Sequence, residues 1–178
     1  MAYNGFDISN KVILVTGGTS GIGLAIAKGC VASGAKVVAG STSADKVAAA
    51  KRELGAGNEA VTLNVSDPAS VRAAVEFTVK TFGGLDAVVN AAGVIKKQPS
   101  LEMPVEEFER IVKINLTGSF IVAQAAGRVM KDQTPDAQGL RGGILFIASL
   151  NSFISLSEVL AYASSKSGVM GLTRGLAN

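Results

Sequence analysis

The feature that most limits what this chain can fold into is an apolar run, a glycine-rich turn and a helical stretch, one directly after another. Residues 11–16 (KVILVT) are almost entirely apolar and rich in β-branched side chains, the pattern of a strand buried on both faces. Thr16-Gly17-Gly18-Thr19-Ser20-Gly21-Ile22-Gly23 follows, and a helical pattern then spans residues 21–33. The same alternation continues along the chain. Residues 36–40 (KVVAG), 60–64, 86–90 (DAVVN) and 144–149 read as further strands, and residues 44–54, 66–82, 104–131 and 161 onward read as helices. The helix over 104–131 is expected to break near Asn115. Strands alternating with helices predict right-handed βαβ units. The expected fold is therefore α/β, one domain over residues 1–178 built on a doubly wound parallel sheet, with its ligand at the carboxyl ends of the strands.

The turn after the first strand carries a phosphate-binding reading. Gly17, Gly21 and Gly23 are spaced GxxxGxG. Such glycines allow a tight turn, close approach of backbone to a pyrophosphate, and tight packing of helix on strand. The helix beyond supplies free N–H groups and a partial positive charge. A carboxylate at the end of the second strand would favour NAD, because it takes the ribose hydroxyls. Here that strand runs into Ser41, Thr42 and Ser43, with no acid before Asp45. Small hydroxyl residues leave room for a 2′-phosphate, and Lys46 is close in sequence. Yet Ser20 stands in the loop where an arginine would strengthen that case. NADP is favoured over NAD.

Composition removes whole classes of chemistry. The sequence has no histidine, which excludes a Ser-His-Asp triad, a Cys-His dyad and HExxH zinc chemistry. One cysteine, Cys30, allows no internal disulfide and no cysteine zinc cage, so no metal site is expected. A net charge of +3 spread along the chain is no nucleic-acid footprint. No apolar run approaches the ~18 residues that span a bilayer, and the amino-terminal residues lack the pattern of a secretory leader. A cytoplasmic protein, bound neither to nucleic acid nor to membrane, is the expectation.

Proton chemistry without histidine points to Tyr162-Ala163-Ser164-Ser165-Lys166. Tyrosine and lysine at i and i+4 share one helix face, and an ammonium one turn away stabilises a phenolate. Ser149, thirteen residues before Tyr162, is expected to end the fifth strand, at the sheet edge where a ligand belongs.

With these residues together, the chain resembles the short-chain dehydrogenase/reductase family. TGGTSGIG at 16–23, NAAG at 90–93, Asn115 in KINLTGSF, Ser149 and YASSK at 162–166 match that family's motifs in order and spacing. The resemblance implies a Rossmann-like fold and hydride transfer between a nicotinamide and a ketone or secondary alcohol. It implies that Tyr162 is the general acid in reduction and the base in oxidation. Lys166 would hold the nicotinamide ribose, Ser149 would hydrogen-bond the substrate oxygen, and Asn115 would hold a relay water through a kinked helix backbone. Gly17, Thr19, Ser20, Gly21, Ile22 and Gly23 would contact the cofactor phosphates and neighbouring ribose, with Ser41 and Thr42 toward the adenosine end. Asn64 and Val65 would flank the adenine, and Asn90, Ala91 and Gly93 would line the cofactor near its middle. A homodimer or homotetramer is expected.

The substrate is less determined. AAGVIKKQPSLEM, IASLNSF and the YASSK region look like sugar-acid and polyol dehydrogenases, whereas NVSDPAS and the end of strand two look like 3-oxoacyl-carrier-protein reductases. Lys96 and Lys97 lie at the ligand-facing rim and suit an acidic substrate. A non-catalytic dinucleotide-binding or scaffold protein is the alternative of another class. Family members are longer, so the sequence is expected to be truncated after the catalytic helix. It would then lack two further strands and the substrate lid, leaving the fifth strand as an edge.

Overall fold

The computed structural model describes residues 7–177. The chain runs β1 (Val12–Thr16), α1 (Gly21–Ala32), β2 (Lys36–Ser41), α2 (Ala44–Leu54), β3 (Glu59–Thr62), α3 (Pro68–Phe82) and β4 (Ala87–Asn90). It continues through α4 (Val105–Val112), a π-helical turn (Lys113–Thr117), α5 (Gly118–Met130), β5 (Gly143–Phe146) and α6 (Leu160–Leu176). All pairings are parallel, in the order β3-β2-β1-β4-β5. The chain therefore changes direction between β1 and β4, and the crevice at their carboxyl ends is where this topology takes a ligand.

Local chemistry sets the element ends. The Asp67 carboxylate caps α3 by accepting from Ala69 N at 2.9 Å, Pro68 follows inside the first turn, and Gly83 closes the helix in the left-handed region. That residue order is what an N-terminal proline and C-terminal glycine dictate. Ser43 caps α2 by accepting from Lys46 N.

Alternation along the strands divides the core between the two faces of the sheet. Leu14, Val38 and Val88 face Val71, Val75 and Val122 on α3 and α5. Ile13, Val15, Val37 and Ala39 face Ala27 and Leu54 on α1 and α2. Every residue of β1 is buried, as expected of the central strand. β5 differs: among the described residues it pairs only with β4, and Leu145 is 55% exposed. The amino-terminal edge of the sheet is strapped by the 132–142 loop. Gln133 accepts from Leu85 N at 2.8 Å through Oε1 and donates to Leu85 O and Arg141 O through Nε2.

Two sequence expectations needed adjusting. The fifth strand stops at Phe146 and does not reach Ser149. Its ladder follows β4, whose last residue Asn90 pairs with Phe146. Ile147 N still donates to Asn90 O at 3.3 Å, and β4 has no further residue to pair with 148 and 149. The third strand likewise ends at Thr62, leaving Asn64 and Val65 in the turn beyond it. The break near Asn115 is present as the π-helical turn.

Candidate active site

The glycine turn leaves β1 at the carboxyl edge. Gly17 has φ +65°, and a Cβ there would lie 2.8 Å from Ala92 N and Cα. A Cβ on Gly23 would strike the Gly17 carbonyl. These two glycines let the turn, the segment after β4 and α1 close upon each other. Gly21 is different: its φ is +52° and a Cβ would meet nothing within 4 Å. Ser20 precedes α1 but makes no side-chain capping bond, and no acid lies in the first turn. Thr19 is buried, whereas Ile22 is 68% exposed. The result is a helix N-terminus with uncapped amides, bare backbone and an uncovered apolar side chain, which suits a dinucleotide pyrophosphate.

Tyr162 and Lys166 lie one turn apart on α6, with Lys166 Nζ 5.7 Å from the centre of the tyrosine ring. Lys166 is 7% exposed, and its ammonium donates to the Ile147 carbonyl at 2.6 Å. Burial pushes its pKa below the ordinary lysine value. Gly93 borders the same space: a Cβ on it would lie 3.3 Å from Asn115 Oδ1 and 3.8 Å from Lys166 Nζ.

Asn115 is 1% exposed. Its Oδ1 accepts from Val94 N at 2.8 Å, and its Nδ2 donates to Val94 O at 2.9 Å and to Ser165 Oγ at 3.0 Å. The amide thus ties the segment after β4 to the π-helical turn and to α6.

A string of buried polar groups continues from there toward β1. Ala92 N donates to Thr16 Oγ1 at 3.2 Å, and the Thr16 hydroxyl donates to Asn90 Oδ1. Asn90 Nδ2 donates to Ser119 Oγ at 2.7 Å, and the Ser119 hydroxyl donates to the Asn115 carbonyl at 2.6 Å. Beyond Asn115, the Ser165 hydroxyl donates to the Tyr162 carbonyl at 2.7 Å. Asn90, expected along the cofactor, turns its side chain inward and spends both ends of its amide on this string. Ser119 and Ser165 were not anticipated from the sequence. Both fall on ordinary buried helical positions, and their partners are 29 and 50 residues away.

Ser149 caps a short 3₁₀ turn, Leu150–Ser152. Its hydroxyl oxygen accepts from Asn151 N at 3.2 Å, which leaves its proton free to donate. Ser152 holds the turn against α6: its oxygen accepts from Ser149 N at 3.2 Å, and its hydroxyl donates to the Lys166 carbonyl at 2.9 Å.

The remaining candidates lie around this edge. Ser41 Oγ accepts from Ser43 N at 3.4 Å, while Thr42 is exposed at the start of the α2 turn. Val65 is buried against Gly118, where a Cβ would approach it to 2.9 Å. Asn64 is exposed, with its Oδ1 accepting from Ser66 N. Ala91 is half-buried beside Gly17. Lys96 lies 4.0 Å from Glu107, and no ion pair among the described residues involves Lys97. A cleft of about 780 Å³ at the opposite edge, bordered by Lys11, Asp86, Asp136 and Arg141, contains none of the candidates. Its lysine and aspartates pair with one another, as suits a structural strap.

The family model for short chain dehydrogenases matches residues 11–178, and the chain belongs to that family. It is 37% identical over 175 residues to a D-threitol dehydrogenase of Mycolicibacterium smegmatis, covering 97% of this chain and 65% of that protein. It is 36% identical over 181 residues to a 2-dehydro-3-deoxy-D-gluconate 5-dehydrogenase of Formosa agariphila, covering 99% of this chain and 66% of the relative. A solved short chain dehydrogenase from Mycobacterium smegmatis superposes with a TM-score of 0.89 at 31% identity, over 96% of this chain and 70% of that one. The chain thus spans about two thirds of the length of the curated relatives it matches. Among the described residues no helix is long and apolar enough to cross a membrane.

Proposed function

We propose that this chain carries the dinucleotide site and the proton-transfer residues of an NAD(P)-dependent oxidoreductase acting on a ketone or secondary alcohol. The observation that carries this reading is the meeting of Lys166 and Asn115 beside Gly93, with Tyr162 one helical turn from Lys166, at the carboxyl edge that also holds the uncapped N-terminus of α1.

Bound nicotinamide supplies or accepts the hydride. Gly17, Thr19, Ser20, Gly21, Ile22 and Gly23 would hold the pyrophosphate end, with Ala91 and Gly93 alongside its middle, and Lys166 would hold the nicotinamide ribose. Tyr162 gives a proton to the carbonyl oxygen in reduction and takes one in oxidation. The Lys166 ammonium, fixed against the Ile147 carbonyl, favours the phenolate through its charge. Ser149 donates its free proton to the substrate oxygen. Asn115 holds a relay water on its backbone carbonyl.

NADP is favoured, because Ser41 and Thr42 put no carboxylate at the end of β2 and Lys46 opens α2 nearby. The substrate class that fits is a sugar acid or polyol, supported by the names of the two curated relatives and by Lys97 at the rim. The protein would work as a homodimer or homotetramer in the cytoplasm.

The test is oxidation of NADPH and NADH with a panel of keto-sugar acids, keto-polyols and 3-oxoacyl thioesters. Turnover that is lost in Tyr162→Phe is expected. Tight dinucleotide binding with no turnover of any ketone would make the chain a binding protein. Full activity in Tyr162→Phe would remove the assignment.

A further inference from the structure

Ser119 has no place in the scheme above, yet it lies where two parts of the site meet. It is 4% exposed, and its neighbours on the string, Asn90 and Asn115, are equally enclosed. A serine that bonds the carbonyl four residues back is commonplace in helices. This one also accepts the Asn90 amide at 2.7 Å, from a strand on the other side of the interface. The bonds form two aligned runs that meet at Asn115, one ending on its backbone carbonyl and one starting from its side-chain amide. Donation passes from Ala92 N through Thr16, Asn90 and Ser119 to the Asn115 carbonyl, and from the Asn115 amide through Ser165 to the Tyr162 carbonyl. Aligned bonds in a buried setting polarise one another. One end is at Ala92, whose backbone touches the space above Gly17; the other is at Tyr162.

We propose that Ser119 is a positioning residue. Its hydroxyl sets the Asn115 peptide within the π-helical turn and couples the dinucleotide turn to the helix that carries Tyr162. The inference rests on the oxidoreductase reading. A carbonyl oxygen has two acceptor positions. Ser119 fills one at 2.6 Å, which limits a relay water to at most one position, in a fixed direction. Without the hydroxyl, the Asn115 carbonyl keeps its place in the chain but loses the donor that aims and polarises it. The Asn90 amide is left without its partner at the same time.

The test compares Ser119→Ala with Ser119→Thr, which keeps the hydroxyl. In Ser119→Ala, kcat is expected to fall about tenfold, a fraction of what a full acid–base catalyst contributes. The pH profile of kcat should shift, KM for the dinucleotide should change by less than about twofold, and Ser119→Thr should recover most of the loss. Hydrogen exchange supplies a readout that needs no turnover. NADPH should protect residues 17–23 and 113–119 in the wild type, but only 17–23 in Ser119→Ala. A Ser119→Ala protein with wild-type kcat and pH profile, or with undiminished protection at 113–119, overturns the proposal and leaves the oxidoreductase reading standing. If the wild type binds no dinucleotide and reduces no ketone, both fall together. If it binds without turnover, the exchange pattern decides.

Discussion

The Lys166 ammonium is bonded to the Ile147 carbonyl at 2.6 Å. A buried cation is thereby held by backbone that leaves the edge strand, one turn along α6 from Tyr162. No carboxylate neutralises it: Lys166 forms no ion pair among the described residues. Burial without a counter-charge is costly, and that cost points to a function other than stability.

Lys166→Met should separate the two. The folded protein holds the Lys166 pKa below the ordinary 10.5 because the group is desolvated. Between the folded value and 10.5 the unfolded chain binds more protons, so stability rises with pH across that window. In Lys166→Met this rise is expected to disappear. At neutral pH its stability should match or exceed that of the wild type, while ketone reduction falls about 100-fold or more. Urea unfolding at neutral and at alkaline pH, together with NADPH oxidation, checks both parts. A variant that is markedly less stable at neutral pH would show that the ammonium–carbonyl bond outweighs desolvation.

The glycines at 17 and 21 share a left-handed backbone but not an environment. Gly17→Ala meets the Ala92 backbone at 2.8 Å, so strain and clash add, for a loss of about 3 kcal/mol or more. Gly21→Ala points into open space and is expected to cost only about 1–2 kcal/mol. Its methyl would stand where the pyrophosphate approaches, so dinucleotide affinity should fall at least about tenfold, roughly 1.4 kcal/mol. Thermal melts and calorimetric titration with NADPH separate the effects. Unchanged affinity in Gly21→Ala would remove this residue from the phosphate site.

These contrasts show what the sequence makes legible. The order strand, glycine turn, helix is local, so the first 90 residues read almost correctly from periodicity and caps. Tyr162 and Lys166 are likewise fixed by helical spacing alone. Ser149 was misplaced because residues 144–149 stay largely apolar while the length of β5 is set by its neighbour: the ladder ends where β4 ends, at Asn90. The break at Asn115 was visible, but its π-helical form was not. Ser119, Ser152 and Ser165 were missed for a different reason. Their chemistry lies in contacts across the fold, and a small hydroxyl residue on a helix looks the same in sequence whether or not another element donates to it.

Asp136 offers a pH test remote from the catalytic edge. Its carboxyl is held below the usual value by the Leu140 and Gln138 backbone amides and, to a lesser degree, by the Lys11 ammonium 3.7 Å away. A depressed folded value means the contribution is present above the ordinary 3.8 and is lost as pH falls through the folded pKa. Acidification should therefore release the 132–142 loop, seen as faster amide exchange at Gln138 and Leu140. Asp136→Asn should lack this acid-dependent step. An identical acid response in the variant would place the transition elsewhere.

Asn115 and Ser165 provide the sharpest test of whether the site is one connected unit. Asn115→Ala strips partners from both the amide and the carbonyl of Val94 and from Ser165, where Asn115 and Ser165 are buried and Val94 is half-buried. Leaving such groups unpaired should cost about 3 kcal/mol. Ser165→Ala removes one acceptor from Asn115, whose Nδ2 keeps the Val94 carbonyl, and should cost about 1 kcal/mol. Once the amide is gone, the hydroxyl has nothing to receive from it. The double variant should therefore be scarcely less stable than Asn115→Ala, with a coupling of about 0.5–1 kcal/mol. Denaturant titration of all four proteins measures that coupling. Strict additivity would mean that α6 and the π-helical turn are held together by packing alone, with the hydrogen bond incidental.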